Sequence, residues 1–174
     1  ASVVREGCAT AAAESGEPVE PANFNDPRQT VIAGSKAGVD LACAMLKALG
    51  AKRALLLPVS APFHSSLMRP AAEALRERLA TVTLRAPHIP VVNNIDVAVQ
   101  TSPDAIRDAL YRQAFGPVRW VEVTQALKAR GLSHVFECGP GKVLAGLVKR
   151  IDPDLVTTTV LDPASLKAAQ EMLA

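Results

Sequence analysis

The chain has 174 residues, 49% of them hydrophobic and 21% charged, and a formal net charge of +2. That is enough apolar material for one domain, or one and a half small ones, and it excludes a disordered tail. The near-neutral balance argues against a nucleic-acid binder, since the Lys52-Arg53 and Lys149-Arg150 pairs are too short to make a basic stripe.

In chain order, Ser2 to Ala13 carry alanines and valines with few breakers and predict a helix ended by "ESGEP". "VEPANFN" and Thr30 to Ala33 read as two strands around the loop "DPR". Ser35 caps the next helix, on which Val39, Ala42, Cys43, Leu46 and Leu49 share a face, and Gly50 stops it. "KRALLLPVS" has the composition of a continuous buried strand. With one strand added in front, this order is the β-α-β-β-α-β ferredoxin-like unit. The lack of that first strand, and a start without methionine, make the chain read as the interior of a longer polypeptide.

Beyond His64, Met68, Ala71, Ala72, Leu75, Leu79 and Val82 form a stripe at helical spacing, and Ser66 is expected to cap that helix. "HIPVVNNID" predicts a second buried strand. Ser102 and Pro103 open the next helix, and a short one runs from Val121 to Arg130. "HVFECGPG" reads as a strand entering a glycine turn, "KVLAGLVKRI" as a helix, "VTTTVL" as a strand and "PASLKAAQEMLA" as a closing helix. Strands alternating with helices indicate a parallel sheet. The expected organisation is therefore a small α+β unit over residues 1–58 and part of a larger α/β unit over 59–174.

Cys8, Cys43 and Cys138 are an odd number without C-x-x-C spacing, so neither a disulfide framework nor a zinc site is expected, and a reducing cytoplasm fits. No apolar run approaches the ~18 residues of a membrane span.

His64 lies where a buried strand gives way to a helix, a common place for α/β sites, and imidazole can take and return a proton near neutral pH. From local pattern alone the plainer reading is a capping or packing residue. A base needs a nucleophile, and no G-x-S-x-G elbow occurs here; Ser65 and Ser66 are too close along the backbone to serve the ring. "CGPGKVLAG" puts Lys142 at a glycine turn before a helix, an anion-friendly corner or simply a tight turn. Asn23 and Asn25 alternate around Phe24, so both amides face one way, toward a polar ligand or into turn chemistry before Pro27. Asn93 and Asn94 read as a strand-end turn, and His88 and His134 as surface or structural residues. Asp96 and Glu137, at strand ends, are each able to orient a histidine, and spacing does not choose between them.

Taken together, "NFNDPRQTVIAG", "LPVSAPFHSSLM", "PVVNNIDV", "DALYRQ", "PVRW" and "FECGPGKVLAGLVKRI" resemble the malonyl-CoA:acyl-carrier-protein transacylase family, which includes the acyltransferase domains of polyketide and fatty-acid synthases. The resemblance runs over essentially the whole chain. It implies an α/β-hydrolase-like parallel-sheet subdomain, here its C-terminal part, interrupted by a small ferredoxin-like α+β subdomain lacking its first strand. Family members carry a G-Q-G-S-Q loop and a G-H-S-x-G elbow that this sequence does not contain, so it resembles the C-terminal half to two-thirds of the enzyme.

The reaction implied is ping-pong malonyl transfer from coenzyme A, a substrate rather than a cofactor, to the phosphopantetheine thiol of acyl carrier protein. His64 matches the family's base, and Gln113 matches the residue whose carbonyl orients it. Asn25 and Asn23 match residues lining the cleft. Phe63 matches a position that sorts extender units, where a bulky aromatic resembles the malonyl-preferring pattern. No metal, nucleic-acid or membrane partner is implied, and the intact protein is expected to be cytoplasmic and monomeric. Lys52, Arg53, Arg69 and Lys142 are candidates to steer an acidic carrier, although nothing separates them from ordinary surface charges. The competing readings are a non-catalytic ferredoxin-like binding module fused to an α/β domain, and an acyltransferase with a different acyl donor.

Overall fold

A computed structural model describes residues 1–173. It is an α/β arrangement of seven helices and four strands among the described residues. In chain order these are α1 (Ser2–Ser15), β1 (Val19–Asp26), β2 (Gln29–Gly34), α2 (Lys36–Ala48), α3 (Arg69–Ala80), α4 (Pro103–Phe115), α5 (Trp120–Ala129), β3 (His134–Cys138), α6 (Val143–Ile151), β4 (Val156–Val160) and α7 (Pro163–Glu171). β1 and β2 pair antiparallel, and β3 and β4 pair parallel.

Local chemistry sets several helix ends. Gly16 ends α1 in the left-handed region (φ 69°), its N–H reaching the Ala12 carbonyl. The Ser35 hydroxyl accepts from Gly38 N at 3.1 Å, and the Ser102 hydroxyl from Ala105 N at 3.2 Å. Asp162 caps α7, accepting from Ser165 N at 2.8 Å. The end expected for that helix at Ala174 lies outside the described residues.

α1 and α2 pack over β1 and β2. Cys8, Ala11, Val19 and Ala42 are buried between them, ringed by Val4, Ala12, Ile32, Val39, Leu41 and Met45. Gly7 lets the helices approach, since a Cβ there would sit 2.7 Å from Leu46 Cδ2. Burial pushes the Cys8 thiol up to about 11, with Cys43 and Glu20 adding to the effect, so this sulfur stays protonated and serves as packing. No helix among the described residues is long and apolar enough to cross a membrane.

Two expected strands are not strands. Residues 54–59 form no regular element, and Leu55, Leu56, Leu57 and Val59 are more than half exposed and make no ladder. In 88–96, Ile89 and Val91 are exposed, and a single bridge joins Val92 to Val99. An apolar run reports a capacity for burial, whereas a strand also needs a neighbour whose N–H and C=O groups meet its own. Ser66 is likewise not a cap: it opens a 3₁₀ turn (Ser66–Met68), and Met68 sits at the N-cap of α3 without a side-chain bond.

β1 has a second neighbour across from β2. Phe24 N donates to the Val118 carbonyl at 2.9 Å, and Val118 N to the Ala22 carbonyl at 2.8 Å. At its far end the buried Asp26 takes Arg150 Nε of α6 at 2.7 Å, and its other oxygen takes Arg28 N at 2.8 Å. Burial raises the Asp26 pKa, but Arg150 and the Arg28 and Gln29 N–H groups outweigh it, and the net value lies below the usual carboxylate range.

A depressed native pKa adds stability above the unfolded carboxylate pKa and loses it as pH falls through the native value. Asp26→Asn is therefore expected to cost about 1–3 kcal/mol at neutral pH, discounted for the half-exposed Arg150. Urea midpoints should show that gap closing in acid; a gap constant from pH 7 down through the carboxylate range would contradict the assignment.

Candidate active site

The site is built from two backbone segments and the strand that ties them together. The first is the loop carrying His64. His64 is a non-glycine residue in the left-handed region (φ 61°), a conformation that persists where the surroundings fix it. The fully buried Ser65 donates its hydroxyl to the Pro62 carbonyl at 2.6 Å, closing a turn that contains His64. Ser66 N donates to Glu20 Oε2 of β1 at 2.6 Å, and Met68 N to the Ser65 carbonyl at 3.0 Å.

The second segment is the C-terminal turn of α4, where helix carbonyls lack an intrahelical partner. Gly116 N takes the Arg112 carbonyl at 2.8 Å. The next carbonyl, that of Gln113, faces His64 Nδ1 at 3.0 Å. A carbonyl only accepts, so Nδ1 carries the hydrogen and the neutral ring leaves Nε2 with its lone pair. Gln113 thus meets the histidine through its backbone. Its side-chain Nε2 turns instead to the carbonyls of Gly116 (3.1 Å) and Pro117 (3.4 Å), fixing the chain that leaves the helix.

Neither carboxylate open on spacing faces the ring. Asp96 holds Arg112 in a bidentate pair, at 2.7 Å to Nη1 and 2.9 Å to Nη2, and that guanidinium draws its carboxyl below the usual range. Glu137 accepts from Leu144 N (3.2 Å) and Ala145 N (2.7 Å) at the start of α6. The glycine corner is therefore a turn whose helix N-terminus already has an anion, with Gly139 at φ 144°.

Asn23 and Asn25 are half-buried on β1 and flank the buried Phe24, over which Arg5 lies at 4.4 Å. β1 bulges on both sides of Asn23-Phe24, and Asn23 is bridged to Val118. The turn before Arg28 is made by Asp26, not by either asparagine. Phe63 is half exposed beside His64. The structure thus brings His64 and Gln113 into contact, and it places Asn23 and Asn25 on the strand that holds both segments, with no hydrogen bond from either amide to the ring.

Asn93 forms a turn, its Oδ1 accepting from Asp96 N at 2.7 Å. Asn93 Nδ2 and Asn94 Oδ1 are buried without a partner, and both residues line a hollow of about 410 Å³ beside Gln113 and Leu110. Among the described residues, no group of three or more His, Cys, Asp and Glu side chains is placed to hold a metal ion. Sequence reasoning misses Glu20 and Ser65 as supports of the site, for which no spacing signal exists, and it leaves Asp96 open, whose partner Arg112 lies 16 residues away.

No family model matches the chain. Individual relatives do. It is 50% identical over 169 residues to the malonyl CoA-acyl carrier protein transacylase of Escherichia coli K12, covering 97% of this chain and 54% of that protein. It superposes with a TM-score of 0.94 on the crystal structure of the acyl-carrier-protein S-malonyltransferase of Burkholderia pseudomallei, at 61% identity, covering 98% of this chain and 55% of the other. A malonyl-transacylase solved in complex with its type II PKS acyl-carrier protein gives a TM-score of 0.95 at 45% identity, covering 99% of this chain and 55% of that one. The chain spans about half the length of the curated relatives it matches.

Proposed function

The chain belongs with the malonyl CoA-acyl carrier protein transacylases over the half of their length that it spans, and from that premise we propose that it supplies the base side of a malonyl transfer whose serine comes from polypeptide beyond these 174 residues. The observation that carries the reading is His64 Nδ1 held 3.0 Å from the Gln113 carbonyl. That contact keeps Nε2 as the acceptor through the cycle.

Nε2 takes the serine proton as the oxygen attacks the thioester carbonyl of malonyl-CoA. The tetrahedral adduct collapses, the C–S bond breaks, and the departing thiolate takes the proton from Nε2–H. The phosphopantetheine thiol of acyl carrier protein then gives its proton to Nε2 and attacks the serine ester. Collapse forms the malonyl thioester and returns the proton to the serine oxygen. A carbonyl orients the imidazolium but stabilises it less than a carboxylate does. A malonyl-transacylase solved with its carrier protein supports the choice of acceptor.

In this reading Asn23 and Asn25 line the cleft, between a small unit over 1–58 and a larger one over 59–174. Phe63 crowds an α-methyl group, and the protein works as a cytoplasmic monomer without a cofactor.

The test is initial-rate kinetics of the full-length protein with malonyl-CoA and holo acyl carrier protein. Parallel double-reciprocal lines and an acyl-enzyme intermediate are expected; no transfer would overturn the reading. The isolated 174 residues should transfer no malonyl group. One methyl group is worth about 1–3 kcal/mol in an apolar pocket, so malonyl over methylmalonyl preference should be graded, on the order of 10–200-fold, and should shrink in Phe63→Ser. An unchanged preference in that variant would remove Phe63 from the donor site.

A further inference from the structure

We propose that Glu20 is a positioning residue for His64, acting through the backbone N–H of Ser66. The proposal rests on His64 being the base. β1 grips both halves of the His64–Gln113 contact. Glu20 Oε2 takes Ser66 N at 2.6 Å, two residues past the imidazole. Two and four residues further along the same strand, Ala22 and Phe24 pair with Val118, at 2.8 and 2.9 Å. Val118 closes the segment that the Gln113 side chain holds through Gly116 and Pro117. One extended strand is therefore the ruler that sets where the ring stands relative to its carbonyl.

The Glu20 end of that ruler carries strain. His64 sits in a left-handed conformation that costs free energy in a residue with a Cβ, and such a residue relaxes unless its neighbours hold it. On one side the hold is the Ser65 hydroxyl on Pro62; on the other it is the carboxylate on Ser66 N. The second is a charge-assisted bond to a half-buried donor, the stronger kind. Releasing it frees the loop to relax His64 while leaving the imidazole chemically intact.

The test measures pre-steady-state acylation of the full-length protein by malonyl-CoA, reading burst amplitude and burst rate separately. Amplitude counts folded, competent sites, and rate reports how well the base is placed. Glu20→Ala is expected to lower the burst rate by about 10–100-fold, the scale of a misplaced catalytic group. Amplitude and malonyl-CoA KM should stay near wild type. Glu20→Gln keeps an acceptor oxygen and should recover most of the rate.

Ser66→Pro removes the donor instead. The preceding Ser65 is already extended (φ −125°, ψ 166°), as a pre-proline residue must be. It should reproduce the Glu20→Ala loss, and the double variant should be no worse than either single one. A burst rate unchanged in Glu20→Ala, or an amplitude that falls while the rate per site does not, overturns the proposal. His64→Asn run alongside separates the two ideas. If it keeps the wild-type rate, the base reading fails and takes the proposal with it; if it is inactive and Glu20→Ala is not, only the role of Glu20 fails.

Discussion

Replacing His64 by alanine in the full-length protein is expected to lower malonyl transfer by about 10²–10⁴-fold, the contribution of a positioned general base, with malonyl-CoA binding little changed. Alanine alone is an imperfect test. His64 holds a left-handed backbone, which alanine adopts less readily than histidine, asparagine or aspartate. His64→Ala therefore combines loss of the base with some loss of stability from a residue less suited to that backbone. His64→Asn separates the two. Its amide is able to donate to the Gln113 carbonyl and tolerates the backbone, but it cannot take a proton. It should be as inactive as His64→Ala and melt closer to wild type. Wild-type exchange rates in both variants would leave the Nδ1–carbonyl contact as mere packing.

The helices were legible because their signals are local. Ser35 to Gly38 and Ser102 to Ala105 are caps completed within four residues, and the alanine-rich runs between them have no strong competing structure. The two strand expectations fail for the opposite reason. Leu55, Leu56 and Leu57 declare themselves apolar, but pairing is a property of two segments and only one is written at that place. The site divides the same way. His64 is visible as an isolated imidazole at a loop. Its contact with Gln113 spans 49 residues, and spacing leaves Asp96 and Glu137 equally open as partners. Only the family resemblance points to a carbonyl there. Those two acids are engaged elsewhere, by a guanidinium and by a helix N-terminus, and such commitments follow from packing rather than from order along the chain. Glu20 is the clearest case: its hold on Ser66 crosses 46 residues and has no motif at either end.

Gly34→Ala is expected to cost about 3 kcal/mol or more, the largest loss expected from a methyl group added at any glycine of this chain, against a total of about 5–15 kcal/mol for an ordinary domain. Gly34 ends β2 opposite Val19, and the next residue, Ser35, donates its N–H to the Pro18 carbonyl at 2.9 Å. The strands close so tightly there that a Cβ on Gly34 would lie 2.2 Å from the Pro18 oxygen and 2.6 Å from Val19 Cα. Both are backbone atoms, so no rotamer change relieves the clash and β1 itself must move. Val19 is 2% exposed in the α1–α2 core, and Glu20 follows it directly, so the shift disturbs the core and the strand that reaches the His64 loop. Gly131→Ala is the control. Its φ of 86° makes alanine strained, at about 1–2 kcal/mol, yet nothing lies within 4 Å of the added carbon. Urea midpoints should therefore fall much further for Gly34→Ala than for Gly131→Ala. Equal losses would mean that β1 yields to the added carbon and that the close approach of two backbones at Gly34 carries no special cost.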